Sequence, residues 1–286
     1  MAAEPARFVL TLACKDRRGI VAAVANSIAS QDCNIVESAQ YGDPETDRFF
    51  MRVSFAAPAS VTAESFARGF EPVALGFGLD WKVHDLSVKP RVLILVSKFG
   101  HCLNDLLYRH EIGHLPMDLV AVGSNHETMR RRAEAENVPY IHWPVNKASK
   151  AEQEAEIMAF VEQERVDLVV LARYMQVLST EMATALFGRA INIHHSFLPS
   201  FVGAKPYHQA HERGVKLIGA TAHYVTPVLD GGPIIEQDVG RVDHSMSADA
   251  FVAMGRDIEA TVLARAVKFH LEHRVLINDN RTVVFR

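Results

Sequence analysis

From residue 91 onward the chain repeats one pattern, a short and nearly unbroken apolar run followed by a stretch of helical length. RVLILVS (91–97), MDLVAVGS (117–124) and VDLVVLA (166–172) are such runs, and ALFGRAINI (185–193) resembles them. A strand with one wet face alternates apolar and polar residues, whereas a strand covered on both faces does not, so these runs imply a parallel sheet between two layers of helices. Helices are expected at 102–113, 126–137, 147–165 (with Ile157, Phe160 and Val161 on one face), 180–188 and 247–273, the last packing back on the sheet. Strands alternating with helices of this length predict a doubly wound, mostly parallel α/β domain. A short strand lies within VPYIHWPV (138–145), and RVLINDNRTVVF (274–285) closes the chain as a hairpin turning at Asn278, Asp279 and Asn280.

The first part of the chain has a different rhythm. RFVLTLAC (7–14) reads as a strand, GIVAAVANSIAS (19–30) as a helix, and CNIVESAQY (33–41) and FFMRVSFA (49–56) as strands about a Gly42-Asp43-Pro44 turn. Residues 61–78 make a second helix, with Pro72 as the point where it would break, and LDWKVHDL (79–86) is a strand. The order β-α-β-β-α-β predicts a ferredoxin-like domain. No cluster of catalytic groups falls in it, so it reads as a binding or assembly module. With Lys89-Pro90 as hinge, the 286 residues divide into domains at 1–86 and 87–286.

Composition narrows the function. Hydrophobic residues make up 49% and charged residues 22%, with a net charge of -4; this balance argues against nucleic acid or an anionic membrane as partner. The basic run 129–132 is followed by Glu134 and Glu136 and reads as a solvated helix face. Cys14, Cys33 and Cys102 are odd in number and include no CxxC pair, so neither a disulfide framework nor a thiolate zinc site is expected. A reducing cytoplasm fits. Neither a signal peptide nor a membrane span is read from the sequence.

The chemistry concentrates in residues 191–233. An apolar run ends at Asn192, His194 and His195 and breaks into a loop with Pro199, Gly203 and Pro206; a second strand, KLIGATAHYVT, then leads to the turn PVLDGGP with Asp230. Ligands of open α/β sheets bind outside the carboxyl ends of the strands. Asn192 and His194 are two apart, so they share a strand face, and His195 would face the other way if the strand continued. The glycines after Asp230 permit a tight turn that exposes its carboxylate. The three side chains suit attack on a carbonyl. Asn192 donates to the developing oxyanion, His194 stabilises it or passes a proton to a departing nitrogen, and Asp230 orients the imidazole and holds a water. Singly, a histidine at a strand end is more often structural, and DGG is usually only a turn.

Two other readings are weighed at the same residues. His194, His195, His208, His211 and His223 could serve a metal, with His208 and His211 spaced i, i+3, yet such sites usually recruit carboxylates or thiolates as well; no metal is expected. After the first strand of the second domain, SKFGHCL (97–103) carries only Gly100. Neither a dinucleotide fingerprint nor a Walker loop is present, which disfavours a phosphate-bearing ligand there.

NIHHSFLPSF (192–201) followed by GATAHYVTPVLDGGPII (219–235) resembles the folate-dependent formyltransferase family, over roughly residues 90–270. The resemblance implies a Rossmann-like catalytic domain with Asn192, His194 and Asp230 as its catalytic set. LARYMQVLS (171–179) matches the family segment that lines the pterin pocket, which implies substrate contacts from Met175, Gln176, Val177 and Leu178, joined by Thr226 and the loop to Asp230. DRRGIVAAVANSIAS (16–30) resembles the first loop and helix of an ACT domain, which implies an amino-acid effector and pairing into a homodimer or homotetramer; the alternative is a module that only joins subunits. SKFGHCL in place of the family's Gly-rich loop, together with an ACT-like domain, resembles a hydrolytic branch of the family. That implies hydrolysis of 10-formyltetrahydrofolate to tetrahydrofolate and formate, a C–N hydrolase of one-carbon metabolism that supplies formate to purine synthesis. Water then takes the acceptor position, held by Asp230 and His223, with Lys98 and His101 shaping that side. The folate is the substrate and no cofactor is expected. Cys102 reads as a small buried residue. The alternatives are formyl transfer to an amine without a phosphate anchor, or a folate or amino-acid sensor without catalysis.

Overall fold

A computed structural model describes residues 5–198 and 206–286; Pro199 and Gly203 of the predicted loop lie outside the described residues. The chain divides into two compact units. One comprises residues 1–89 with 273–278 and 283–286, the other residues 90–272 with 279–282.

In the first unit β1 (Ala6–Lys15), α1 (Ile20–Ala29), β2 (Asn34–Asp43), β3 (Arg48–Ala57), α2 (Ala63–Phe77) and β4 (Asp80–Asp85) follow in the predicted order. The sheet runs β2-β3-β1-β4 and is antiparallel throughout, the ferredoxin-like topology. Its core is an aromatic chain. Phe8 and Phe55 lie 5.5 Å apart between ring centres, Phe55 and Phe66 4.5 Å, Phe66 and Phe70 5.9 Å, and Trp81 meets Phe70 edge-on at 4.9 Å. Helix α2 continues through Pro72, contrary to the expected break. An interior proline costs a helix about 3 kcal/mol. Here the helix is fixed on both sides of it by buried Phe66, Phe70 and Ala74, and at its start by Thr62 and Ser65, each side chain accepting from the other's backbone N–H.

The second unit begins with β5 (Arg91–Val96), α3 (His101–Glu111), β6 (Asp118–Ser124), α4 (Arg130–Glu134), β7 (Tyr140–His142), α5 (Lys150–Gln163) and β8 (Leu168–Leu171). It continues through α6 (Thr180–Ala185), β9 (Ala190–His194), α7 (Pro206–Glu212), β10 (Leu217–Tyr224), β11 (Ile234–Arg241) and α8 (Ala248–Leu271). The seven-stranded sheet runs β11-β10-β9-β8-β5-β6-β7. Strands β5 to β9 pair in parallel and β10 and β11 are antiparallel, so the sheet is doubly wound and mostly parallel as predicted. Val92 to Val96 are fully buried, which explains the unbroken apolar run. The run 185–193 is not one strand: Gly188, at φ 75°, separates α6 from β9. The helix predicted at 126–137 shrinks to five residues. On α5 the buried face includes Ile157 and Val161, while Phe160 is partly buried and meets Trp143 edge-on at 5.6 Å.

The last strands, β12 (Val275–Asn278) and β13 (Arg281–Val284), form the predicted two-stranded sheet. The sequence reading gave all of 87–286 to one domain, but residues 273–278 and 283–286 count with the first unit. Phe285 joins a cluster with Ala13 and Phe50 on the sheet face opposite the aromatic chain, with Leu276 and Val283 packed against it. Buried Arg52 donates to the His273 carbonyl at 3.2 Å and pairs with Glu37 at 3.0 Å, and Asn278 donates to Asp43 at 2.6 Å. A hairpin with one apolar side must cover something, and its local pattern does not say what.

Candidate active site

The strand order reverses at β5, between β8 and β6, so the carboxyl ends of β5, β8 and β9 border the crevice where such sheets bind ligands. Three loops there are tied together: the Met175 N–H donates to Ser97 Oγ at 3.0 Å, and Ser97 donates to Asn125 Oδ1 at 2.7 Å. Asn192 and His194 stand on one face of β9, both partly buried. Strand β10 pairs antiparallel with β9 and sets His223 opposite Asn192. Asp230 follows β10 in a left-handed conformation, φ 53°.

His194 Nδ1 is 3.3 Å from Asp230 Oδ1, and His223 Nε2 is 3.7 Å from the same oxygen. The hydrogen bond from His194, backed by the His223 ring, holds the Asp230 carboxyl well below the usual carboxylate range. His223, 2% exposed, donates through Nδ1 to the Tyr224 carbonyl at 2.8 Å. With Nδ1 committed there, Nε2 is the nitrogen that faces Asn192, whose Nδ2 donates to it at 3.3 Å. The second Asn192 N–H is left for another acceptor. His223 therefore orients the Asn192 amide from behind. His194 keeps Nε2 for chemistry, because Nδ1 is engaged by Asp230.

The remaining predicted residues fall as follows. Met175 and Val177 are over half exposed, Gln176 and Leu178 partly buried, and Leu178 also packs on the core. Thr226 donates to the Val228 carbonyl at 3.0 Å and so braces the loop that carries Asp230. Val228 and Leu229 on that loop are exposed. Lys98 is exposed. His101 is engaged elsewhere, with Nε2 2.8 Å from Glu259. Cys102 is fully buried, and burial raises its thiol well above the ordinary value. His211 contacts the Met246 carbonyl through Nε2 at 3.1 Å.

Sequence reasoning missed a group beside this set. Strand β9 ends at His194, so His195 does not turn to the opposite face; its ring stacks on His194 at 4.9 Å and 25°. Arg173 Nη1 lies 2.5 Å from His195 Nδ1, and Arg173 Nε pairs at 3.3 Å with Glu259, which is 1% exposed. Tyr207 donates to the other oxygen of Glu259 at 2.7 Å. One signal was available: Phe251, Gly255, Glu259, Val262 and Leu263 form the buried stripe of α8, and Glu259 is the carboxylate on it. Ligand atoms of His101, Cys102 and Glu259 lie within 4.8 Å of one another. A cation there would face the Arg173 guanidinium, so ion pairing with Arg173 explains this carboxylate better than a metal does.

Residues 90–267 match the family described as Formyl transferase. Among curated relatives, the formyltetrahydrofolate deformylase of a Corynebacterium strain is 49% identical over 284 residues, 99% of each chain. The crystal structure of formyltetrahydrofolate deformylase from Burkholderia mallei superposes with a TM-score of 0.94 at 51% identity, covering 99% of this chain and 100% of that one. Glycinamide ribonucleotide transformylase 1 from Symbiobacterium toebii superposes with a TM-score of 0.64 at 30% identity, covering 69% of this chain and 95% of that one.

Proposed function

This chain belongs to the formyl transferase family, among the formyltetrahydrofolate deformylases, and we propose that it hydrolyses 10-formyltetrahydrofolate with Asn192, His194 and Asp230 as the catalytic set. The observation that carries the assignment of residues is the joint geometry of β9 and the loop after β10. An amide donor and an imidazole share one strand face, and the imidazole's far nitrogen is bound by a carboxylate at 3.3 Å.

In this reaction a water on the crevice side of His194 attacks the formyl carbon and gives a proton to His194 Nε2. The imidazolium so formed is stabilised by Asp230, whose carboxylate stays ionised. The former carbonyl oxygen becomes an oxyanion and accepts from the free N–H of Asn192. The carbonyl then re-forms, the bond to the folate nitrogen breaks, and that nitrogen takes the proton from His194. The products are tetrahydrofolate and formic acid, which ionises to formate. Only the folate and water are consumed. Met175, Val177 and the Val228–Leu229 tip offer exposed apolar surface to the flat pterin, an arrangement typical of ligand pockets with few polar anchors. For the ferredoxin-like unit the reading is regulation by an amino acid, in a homodimer or homotetramer; the exposed Val36 and Tyr41 on edge strand β2 support pairing. Three free, buried cysteines suit a reducing cytoplasm.

The test is formate release from 10-formyltetrahydrofolate with no amine present. Release lost in His194→Ala and Asp230→Asn supports the reading. Release only when an amine is added would replace hydrolysis by transfer, and folate binding without turnover would make the chain a sensor.

A further inference from the structure

A carboxylate on the apolar stripe of a helix is costly unless paired. Glu259 is paired three ways, with His101 at 2.8 Å, Tyr207 at 2.7 Å and Arg173 at 3.3 Å. Burial opposes its charge, but the hydrogen bond from His101 and the Arg173 guanidinium outweigh burial and leave the carboxyl below its ordinary value, hence ionised. Arg173 has the left-handed φ of 63° just past β8 and a nearly buried side chain. It is a donor only and always charged. Its Nη1 faces His195 Nδ1 at 2.5 Å, so His195 Nδ1 accepts and the ring carries its proton on Nε2. A doubly protonated His195 would set N–H against N–H. That ring in turn stacks on His194.

We propose that Arg173, locked by Glu259, is a positioning residue that keeps His195 neutral and so assigns the proton of the stacked histidine pair to His194 alone. The inference rests on the reading of His194 as the proton carrier. Two imidazoles at 4.9 Å share one local field, and a proton on either lowers the affinity of the other. The charged groups facing His195 are Arg173 after β8, Glu259 on α8, His194 on β9 and Asp230 in the loop after β10. Burial, then Arg173, then His194 push its pKa down to about 4, against the opposing pull of Glu259 and Asp230. Without Arg173, His195 would take a proton more readily, and a charge on that ring would make its stacked neighbour His194 a poorer proton acceptor.

The test combines histidine NMR titration with the pH profile of kcat/KM for formate release. In the wild type the His195 ring should stay neutral down to about pH 5. In Arg173→Met that titration should move up, with burial still holding it below the ordinary histidine value of roughly 6.5, and the acidic limb of kcat/KM should move up with it. Arg173→Lys should restore much of the wild-type profile. Arg173→Met with His195→Asn should restore the acidic limb as well, because no second ring remains to charge; mere loosening of the fold would not be rescued so. Should Arg173→Met fail to fold, Arg173→Gln removes the same charge with a polar side chain and carries the same expectation. A wild-type His195 that titrates near 6.5, or an acidic limb unmoved in a folded variant, overturns the proposal. Full activity in His194→Ala would instead overturn the reading beneath it.

Discussion

His194 donates through Nδ1 to Asp230 Oδ1 across 3.3 Å, and this contact fixes which nitrogen of the ring faces the crevice. Asp230→Asn keeps the volume but offers an amide that can present its N–H to Nδ1. The imidazole then prefers the tautomer with its proton on Nε2 and cannot accept one from water there. General acid–base steps contribute about 10²–10⁴-fold, so kcat for formate release should drop by about a hundredfold or more. The circular dichroism spectrum should stay unchanged. An activity within threefold of wild type would remove the pair from the mechanism.

Asn192 splits its amide between His223 Nε2, at 3.3 Å, and the crevice. Losing one oxyanion donor costs about 2.7–4 kcal/mol in barrier. Asn192→Ala should therefore slow turnover roughly a hundredfold, with the apparent affinity for 10-formyltetrahydrofolate changed much less. Steady-state kinetics separate the two: a large rise in KM with kcat retained would make Asn192 a substrate-binding residue only.

The stability of the protein should carry the signature of His195. Its pKa lies at about 4, below the ordinary 6.5, first through burial and then through Arg173. Between those values the unfolded chain binds a proton there that the native state excludes, so unfolding free energy rises with pH in that window and falls as solutions are acidified from pH 6.5 to 4. One proton gives a slope of about 1.4 kcal/mol per pH unit. Asp230, held low chiefly by His194, adds a further loss as pH falls below the usual carboxylate range. Urea unfolding across this range should become shallower between pH 6.5 and 4 in His195→Gln. An unchanged slope would mean that the ring is not excluded from protonation.

Local pattern revealed the architecture where each element carried its own reason. Val92 to Val96 read as a two-sided strand because they are one, and DGG read as a carboxylate-bearing turn because Asp230 adopts a left-handed φ. Asn192 and His194 were legible from the two-residue repeat of a strand. Contacts between distant segments were not. Nothing near Glu259 in sequence names Arg173, His101 or Tyr207 as its partners; helix α8, the turn after β8, α3 and α7 bring them together. The direction of His195 hung on whether the strand continued, which the local pattern does not say; β9 ends at His194 and the alternation of faces stops there. The break expected at Pro72 failed, because the burial of Phe66 and Phe70 overrides the backbone cost.

The loop carrying Asp230 is held by a close approach at Gly232. A Cβ built there would lie 1.7 Å from the Tyr224 carbonyl oxygen, the acceptor for His223 Nδ1. Backbone cannot yield that distance, so Gly232→Ala must push the loop from β10. Overpacking of this kind typically costs about 1–3 kcal/mol. The shift would also pull Asp230 from His194 and free His223 from its carbonyl, so activity should fall along with stability. Gly231→Ala is the matched control. Its Cβ would meet the Val228 side chain at 2.7 Å, and that residue is exposed and can turn away. Thermal unfolding and formate release measured on both variants should separate them, with Gly231→Ala close to wild type and Gly232→Ala reduced in both. Equal behaviour would show that the contact between Gly232 and Tyr224 does not hold the carboxylate in place.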